Sequence, residues 1–172
     1  METKMVNLHI NGIPVTVPEG TTVLEAARDA GINIPSLCYL KGINEIGACR
    51  ICVVEVKGAR SLMASCVYPV SEGMEVFTNT EKVRQSRRLT LELILSNHRM
   101  DCLTCARSGQ CELQDLARDL GIDAVRYAND QLLPQIEDSA LHLVRDNSKC
   151  VLCRRCTAVC RKTQEVGVIG PN

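Results

Sequence analysis

The chain has no tryptophan, and its aromatics stop at Tyr39, Tyr68, Tyr127 and Phe77. Aromatic side chains ordinarily supply much of a core's buried area. A chain of 172 residues, 45% of them hydrophobic, must therefore fold on aliphatic packing, with bound metal as a further source of folding free energy. The same scarcity removes a base-stacking surface. Twenty basic residues cancel twenty acidic ones, so no broad nucleic-acid footprint is expected. Long apolar runs are missing as well. No segment approaches the roughly 20 residues of a membrane span, and the first ten residues hold no stretch of signal-peptide length. A cytoplasmic chain without a membrane span is expected. Gly-rich phosphate loops, a Ser/His/Asp order and a thioredoxin-like βαβ pattern are also lacking, which argues against a self-contained enzyme.

What the chain does have is cysteine. There are eleven, an odd number that fits a complete disulfide framework poorly. In a reducing compartment such density signals metal or redox chemistry. The cysteines fall into three spaced groups, each with iron–sulfur spacing. The first is Cys38-x10-Cys49-x2-Cys52-x13-Cys66. Four thiolates, two per iron, complete a [2Fe–2S] cluster, and a long loop can wrap it and offer backbone N–H donors. Gly47 and Ala48 are small enough for close backbone approach, and Arg50 adds positive charge. A zinc site is the alternative. The second group is His98-x3-Cys102-x2-Cys105-x5-Cys111. Three thiolates and an imidazole complete either a [4Fe–4S] cluster or a tetrahedral zinc; its place between two cluster-like groups favours iron. A neutral His98 leaves the cluster less negative and raises its potential. His9 and His142 have no such neighbours and read as structural.

The third group, Cys150-x2-Cys153-x2-Cys156-x3-Cys160, has the spacing of a bacterial two-cluster ferredoxin, in which the fourth cysteine ligates the other cluster. Cys150, Cys153 and Cys156 then need a ligand from elsewhere, and Arg161 stands where that pattern has proline. The expectation is a piece of a longer chain, with one or two further [4Fe–4S] clusters completed beyond residue 172.

Around these groups the pattern is α+β. Val6, Leu8 and Ile10 alternate with polar residues, Asn11-Gly12 is a hairpin turn, and residues 13–17 return as a strand whose Pro14 suits an edge. Thr22 and Glu25 make a capping box for a helix ended by Gly31. This is the opening of a β-grasp module. Strands are expected at 51–56, 61–64 and 74–78, with a turn at Lys57-Gly58. Thr80 caps a helix to about Asn97, with Leu91, Ile94 and Leu95 on one face. Arg84, Arg87 and Arg88 share another face, read as solvated. A short helix is expected from Cys111 to Leu120, stopped by Gly121, and another within 150–163. Residues 122–145 carry no clear pattern.

Together the three groups resemble the N-terminal part of the catalytic subunit of [FeFe]-hydrogenases, above all the NAD(P)-linked, multi-subunit type that includes the electron-bifurcating enzymes. Residues 146–156, Asp-Asn-Ser-Lys-Cys-Val-Leu-Cys-Arg-Arg-Cys, and residues 163–170, Thr-Gln-Glu-Val-Gly-Val-Ile-Gly, look especially hydrogenase-like. The first two groups are similar also in the large iron–sulfur subunit of respiratory NADH dehydrogenase, the diaphorase subunit of NAD-reducing hydrogenases and NAD-dependent formate dehydrogenases. The resemblance implies [2Fe–2S] on Cys38, Cys49, Cys52 and Cys66, [4Fe–4S] on His98, Cys102, Cys105 and Cys111, part of another on Cys150, Cys153 and Cys156, and Cys160 given to its neighbour. It implies a ferredoxin-like domain at 1–78, a small helical module with one histidine and three cysteines at 79–120, a connecting segment at 121–145 and a truncated two-cluster ferredoxin-like domain at 146–172. The implied role is an electron relay between a flavin, NAD(P) or ferredoxin partner and a downstream H-cluster, inside a complex with flavin-binding and other iron–sulfur subunits.

Overall fold

The computed structural model describes residues 4–127 and 136–170. In β1, Met5–Ile10, alternation puts Val6, Leu8 and Ile10 on one buried face, as a period of two requires. Asn11 and Gly12 both take positive φ, 53° and 82°, which a two-residue turn matched to strand twist needs. β2, Ile13–Pro18, returns antiparallel, with Ile13 opposite Ile10 and Val17 opposite Val6. Pro14 is tolerated because β2 is an edge strand. The hydroxyl of Thr22 accepts the Glu25 N–H at 3.3 Å and starts α1, Val23–Asp29. The expected capping box is only half made. The Glu25 carboxylate instead accepts the Tyr39 hydroxyl at 3.0 Å and pairs with Lys41 at 2.7 Å.

Three further strands follow: β3, Val53–Val56; β4, Met63–Ala64; and β5, Met74–Phe77. The sheet order is β2-β1-β5-β3-β4. β1 and β5 run parallel at its centre, with Leu8 beside Met74, and the other pairs are antiparallel. A mixed sheet over a single helix is the β-grasp arrangement. Leu24, Ala26 and Ala27 of α1 share one aliphatic core with Ile34, Val54 and Val76. β3 begins two residues later than the sequence suggests, leaving Ile51 and Cys52 in the preceding loop.

The chain forms two compact units, Met1–Arg87 with Arg154–Asn172, and Arg88–Cys153. Thr80 caps α2, Glu81–Ser96, by accepting the Val83 N–H at 3.3 Å. In the second unit, α3, Glu112–Asp119, stops before Gly121, whose φ is 61°. A hairpin of β6, Ile136–Ala140, and β7, Leu143–Asp146, occupies part of the stretch left unassigned from sequence. Its β6 sequence, IEDSA, has no alternating apolar face, so the period-two signal is missing. The rest of that stretch at 128–135, and residues 171–172 at the chain's end, lie outside the described residues. α4, Arg155–Lys162, belongs to the first unit, where Arg155 donates to the Tyr39 carbonyl at 3.2 Å.

The units differ in how much apolar packing they contain. Among the described residues, the buried hydrophobics of 88–153 are Leu91, Leu95 and Leu113, whereas residues 4–87 bury a continuous aliphatic core. No helix among the described residues is long and apolar enough to cross a membrane.

Ile10 and Ile13 flank the same turn, yet Ile10 is fully buried and Ile13 is 49% exposed. Ile10→Ala should cost about 2–5 kcal/mol through lost transfer energy and a cavity. Ile13→Ala should cost well under half of that. Urea unfolding of both variants checks this as a shift in midpoint at unchanged slope.

Candidate metal centres

The loop from Pro35 to Cys52 is shaped by two left-handed residues. Gly47 has φ 62°, and a Cβ there would stand 3.2 Å from a Val67 methyl, so both its conformation and its close approach call for glycine. Arg50, at φ 56°, accepts the same conformation without that freedom. Between them the loop turns so that the N–H groups of Ala48 and Cys49 donate to the Cys38 sulfur, while those of Leu37 and Ile51 donate to Cys49. The loop is clamped from behind. Buried Asn44 donates to the Cys38 carbonyl at 2.7 Å, and buried Ser65 donates to the Cys52 carbonyl at 2.7 Å. Cys66 follows β4 and Ser65, which brings it to the loop across the strand.

All four cysteines of this group are buried, and their sulfurs contact one another in a chain. Cys38 meets Cys49 and Cys66, and Cys66 also meets Cys52. Thiol hydrogen bonds from Cys49 and then Cys66 hold the Cys38 thiol far below its ordinary range. A bond from Cys66 brings Cys52 down to about 6. The donors move the other way. Cys49 is pushed up mainly by its bond to Cys38, and Cys66 by its bonds to Cys38 and Cys52. In each bonded pair one thiol is held down and its partner is pushed up. Among the described residues, no three His, Cys, Asp or Glu side chains are grouped to hold a single ion. Paired sulfurs strung along a loop suit a two-iron cluster, which takes two thiolates per metal.

One arginine reverses an expectation. The face carrying Arg84, Arg87 and Arg88 is not uniformly solvated: Arg87 is 5% exposed. It donates to the Val53 carbonyl at 2.7 Å, and burial lowers its guanidinium to about 10, opposed by the charge of Cys52. Arg84, which donates to the Asn79 carbonyl, remains exposed, and Arg88 pairs with Glu92 at 3.3 Å. Arg50, assigned a charge role from sequence, is exposed and reaches the Leu62 carbonyl at 3.4 Å. Helical periodicity groups the three arginines but cannot tell which one faces the sheet. Arg87, Asn44 and Ser65 are the contributors to this site that the motif did not mark.

In the second unit, His98 lies just past α2, where its N–H bonds to the Leu95 carbonyl at 3.0 Å. A 3-10 turn, Cys102–Thr104, follows, and Cys111 precedes α3. His98, Cys102, Cys105 and Cys111 line one cavity of about 150 Å³ with Leu95 and Leu113. His98 buries its Nδ1 there without a hydrogen-bond partner. Burial first, and the Lys149 charge second, pull its imidazole below the ordinary value, against Asp101 and Asp146. The ring is therefore neutral at pH 7, the form that ligates metal. Arg99 anchors this loop, pairing with Asp101 and Asp146 at 3.1 Å each, and Lys149 pairs with Asp101 at 3.1 Å.

The third group is divided between the units. Cys150 and Cys153 belong to the second, Cys156 and Cys160 to the first. Cys150 accepts the Leu152 N–H at 3.4 Å. On α4, Cys156 is exposed and Cys160 buried. The N–H groups of Ile169, then Val168 and Gly167, donate to the Cys160 sulfur and lower its thiol.

Because their bonds to neighbouring sulfurs push the Cys49 and Cys66 thiols up, and a thiol must lose its proton to ligate metal, loading the first site should release protons and slow as pH falls. Anaerobic reconstitution in weak buffer, with pH and absorbance followed together, checks this. Cys49→Ser should abolish loading there.

Comparison with known proteins finds iron–sulfur binding regions in two stretches of the chain. Residues 3–81 match the model of a 2Fe-2S iron-sulfur cluster binding domain, and residues 87–126 match an NADH-ubiquinone oxidoreductase-G iron-sulfur binding region. The chain is 45% identical over 170 residues to the NADP-reducing hydrogenase subunit HndD of Solidesulfovibrio fructosivorans, covering 96% of this chain and 29% of that one. It is 37% identical over 168 residues to the NADH-ubiquinone oxidoreductase 75 kDa subunit of Reclinomonas americana, covering 96% and 24%. A chain in the crystal structure of an NAD+-reducing [NiFe]-hydrogenase in the H2-reduced state superposes with TM-score 0.87 at 32% identity, covering 97% of this chain and 71% of that one. The chain thus spans under a third of those two curated relatives, and they include both hydrogenase and respiratory proteins rather than one parent. The chain belongs to the family of iron–sulfur electron-transfer domains shared by NAD(P)-reducing hydrogenases and the large iron–sulfur proteins of NADH dehydrogenase.

Proposed function

We propose that this domain relays single electrons through a [2Fe–2S] cluster on Cys38, Cys49, Cys52 and Cys66 and a [4Fe–4S] cluster on His98, Cys102, Cys105 and Cys111. Bound there, the clusters supply one-electron oxidation and reduction. The chain's residues do the rest. The 35–52 loop and Ser65 fix four sulfurs in a dry pocket, and backbone N–H groups aim at Cys38 and Cys49. The His98 loop presents three sulfurs and a neutral imidazole to one cavity. The observation that carries this reading is the set of four buried, mutually contacting cysteines on the β-grasp loop; the orphaned Nδ1 of His98 supports the second site.

We assign 1–78 to the ferredoxin-like domain, 79–120 to the module built on His98 and its three cysteines, 121–145 to a connecting segment and 146–172 to the start of a two-cluster ferredoxin-like domain. In that last part Cys150, Cys153 and Cys156 hold part of a further [4Fe–4S] cluster, and Cys160 serves its neighbour. The parent is a cytoplasmic, multi-subunit, NAD(P)-linked [FeFe]-hydrogenase. The relay in it connects a flavin- and NAD(P)-binding subunit, or ferredoxin, to the hydrogen-activating centre. The 45% identity to an NADP-reducing hydrogenase subunit supports a hydrogenase parent, and the 37% identity to a respiratory 75 kDa subunit supports the second reading, the equivalent relay of an NADH dehydrogenase.

Iron and acid-labile sulfide distinguish these sites. Cys66→Ser should remove about two of each per chain, and Cys105→Ser or His98→Ala about four. His9→Ala and His142→Ala should change neither. Stoichiometric zinc with no sulfide would overturn the reading. Because the described residues of 88–153 bury so little apolar surface, iron removal should also loosen the second unit more than the first. Hydrogen exchange should show protection lost across 99–112 while β1 and β3 stay protected.

A further inference from the structure

A guanidinium buried without a carboxylate is costly, because the lost hydration is not replaced. Arg87 is 5% exposed, and no ion pair to it occurs among the described residues. Its Nη2 is satisfied by the Val53 carbonyl, but its Nε has no hydrogen-bond partner. That carbonyl belongs to the residue that directly follows Cys52 in the chain, 2.7 Å from the guanidinium. Its neighbours differ. Arg84 and Arg50 are exposed, with backbone carbonyls as partners, and water and salt screen both.

We propose that Arg87 is the buried counter-charge of the first cluster and sets its reduction potential from beside the start of β3. This rests on the assignment of Cys38, Cys49, Cys52 and Cys66 to a [2Fe–2S] cluster. An all-thiolate cluster of that type is a net anion and becomes more negative by the electron it accepts. A fixed cation in a low-dielectric setting therefore stabilises the reduced form more than the oxidised form and raises the potential. The same interaction supplies the anion that an otherwise unpaired guanidinium lacks. Arg87 is a positioning and tuning residue in this account: it ligates no iron, and it acts on the cluster through charge and through the Val53 carbonyl at the start of β3.

The test is an anaerobic redox titration of the reconstituted chain, with a mediator set supplying the electron and the [2Fe–2S] signal read by EPR. Wild type is compared with Arg87→Gln, Arg87→Lys and Arg84→Gln. Iron and sulfide content is measured first, so failure of the wild type to load would count against the cluster assignment and not against Arg87. With clusters loaded, Arg87→Gln should lower the reduced-to-oxidised ratio about tenfold at the wild-type midpoint, equivalent to ~59 mV for one electron. Arg87→Lys, which keeps the charge, should retain most of the wild-type ratio, and Arg84→Gln should leave it unchanged. A loaded Arg87→Gln protein with the wild-type midpoint would overturn the proposal, as would Arg87→Lys falling as far as Arg87→Gln. If Arg87→Gln does not load, a loaded Arg87→Lys near the wild-type midpoint supports a required charge. Loss of loading in both reduces Arg87 to a fold element and overturns it.

Discussion

Keeping anionic sulfur in a pocket from which water is excluded is the constraint on which the first unit depends. Thiolates gathered in a low-dielectric site repel one another, and each loses its hydration. The structure meets this with donors rather than with space. Cys49 and Cys66 donate to their neighbours, and the N–H groups of Ala48 and Cys49 point at Cys38. Those N–H directions come from the left-handed backbone at Gly47 and Arg50. The loop keeps that shape because Asn44 and Ser65 hold its carbonyls. The sheet contributes by placing Cys66 opposite the loop and by fixing where β3 begins. Fold and site are in this sense one arrangement.

The second unit solves a different problem. Among its described residues few side chains are buried, and charge pairs order its loops: Arg99, Asp101, Asp146 and Lys149 tie the His98 loop to the segment before Cys150. Glu92, fully buried, takes Arg126 at 2.6 Å and Arg88 at 3.3 Å. A cavity lined by three cysteines and a histidine lies at the middle of this sparse packing. Metal bound there would add folding free energy and would offset the shortage of aromatic residues apparent in the composition.

Local physics explains what could be read in advance. The Asn11-Gly12 turn, the edge position of Pro14, the Thr22 and Thr80 caps and the helix stops at Gly31 and Gly121 follow from backbone chemistry within a few residues, and all are present. The cysteine groups stood out as candidate ligand sets because ligand type and spacing are themselves the chemistry. Long-range choices were not legible. Glu25 leaves its capping box for Tyr39 and Lys41, partners that loop closure brings to it. Arg87 shares a helical face with two surface arginines, and only the packing of α2 decides that it is the buried one. The β6–β7 hairpin has no apolar alternation to announce it, since its Ile136 and Val144 remain exposed.

The central claim is that these cysteines and His98 hold two kinds of redox cluster rather than structural metal. Anaerobic EPR of the dithionite-reduced, iron-loaded chain tests it most directly. The account predicts two paramagnetic signals distinguishable by relaxation: a slowly relaxing one from [2Fe–2S], lost in Cys66→Ser, and a fast-relaxing one from [4Fe–4S], lost in Cys105→Ser. A colourless, EPR-silent protein that carries stoichiometric zinc would contradict it.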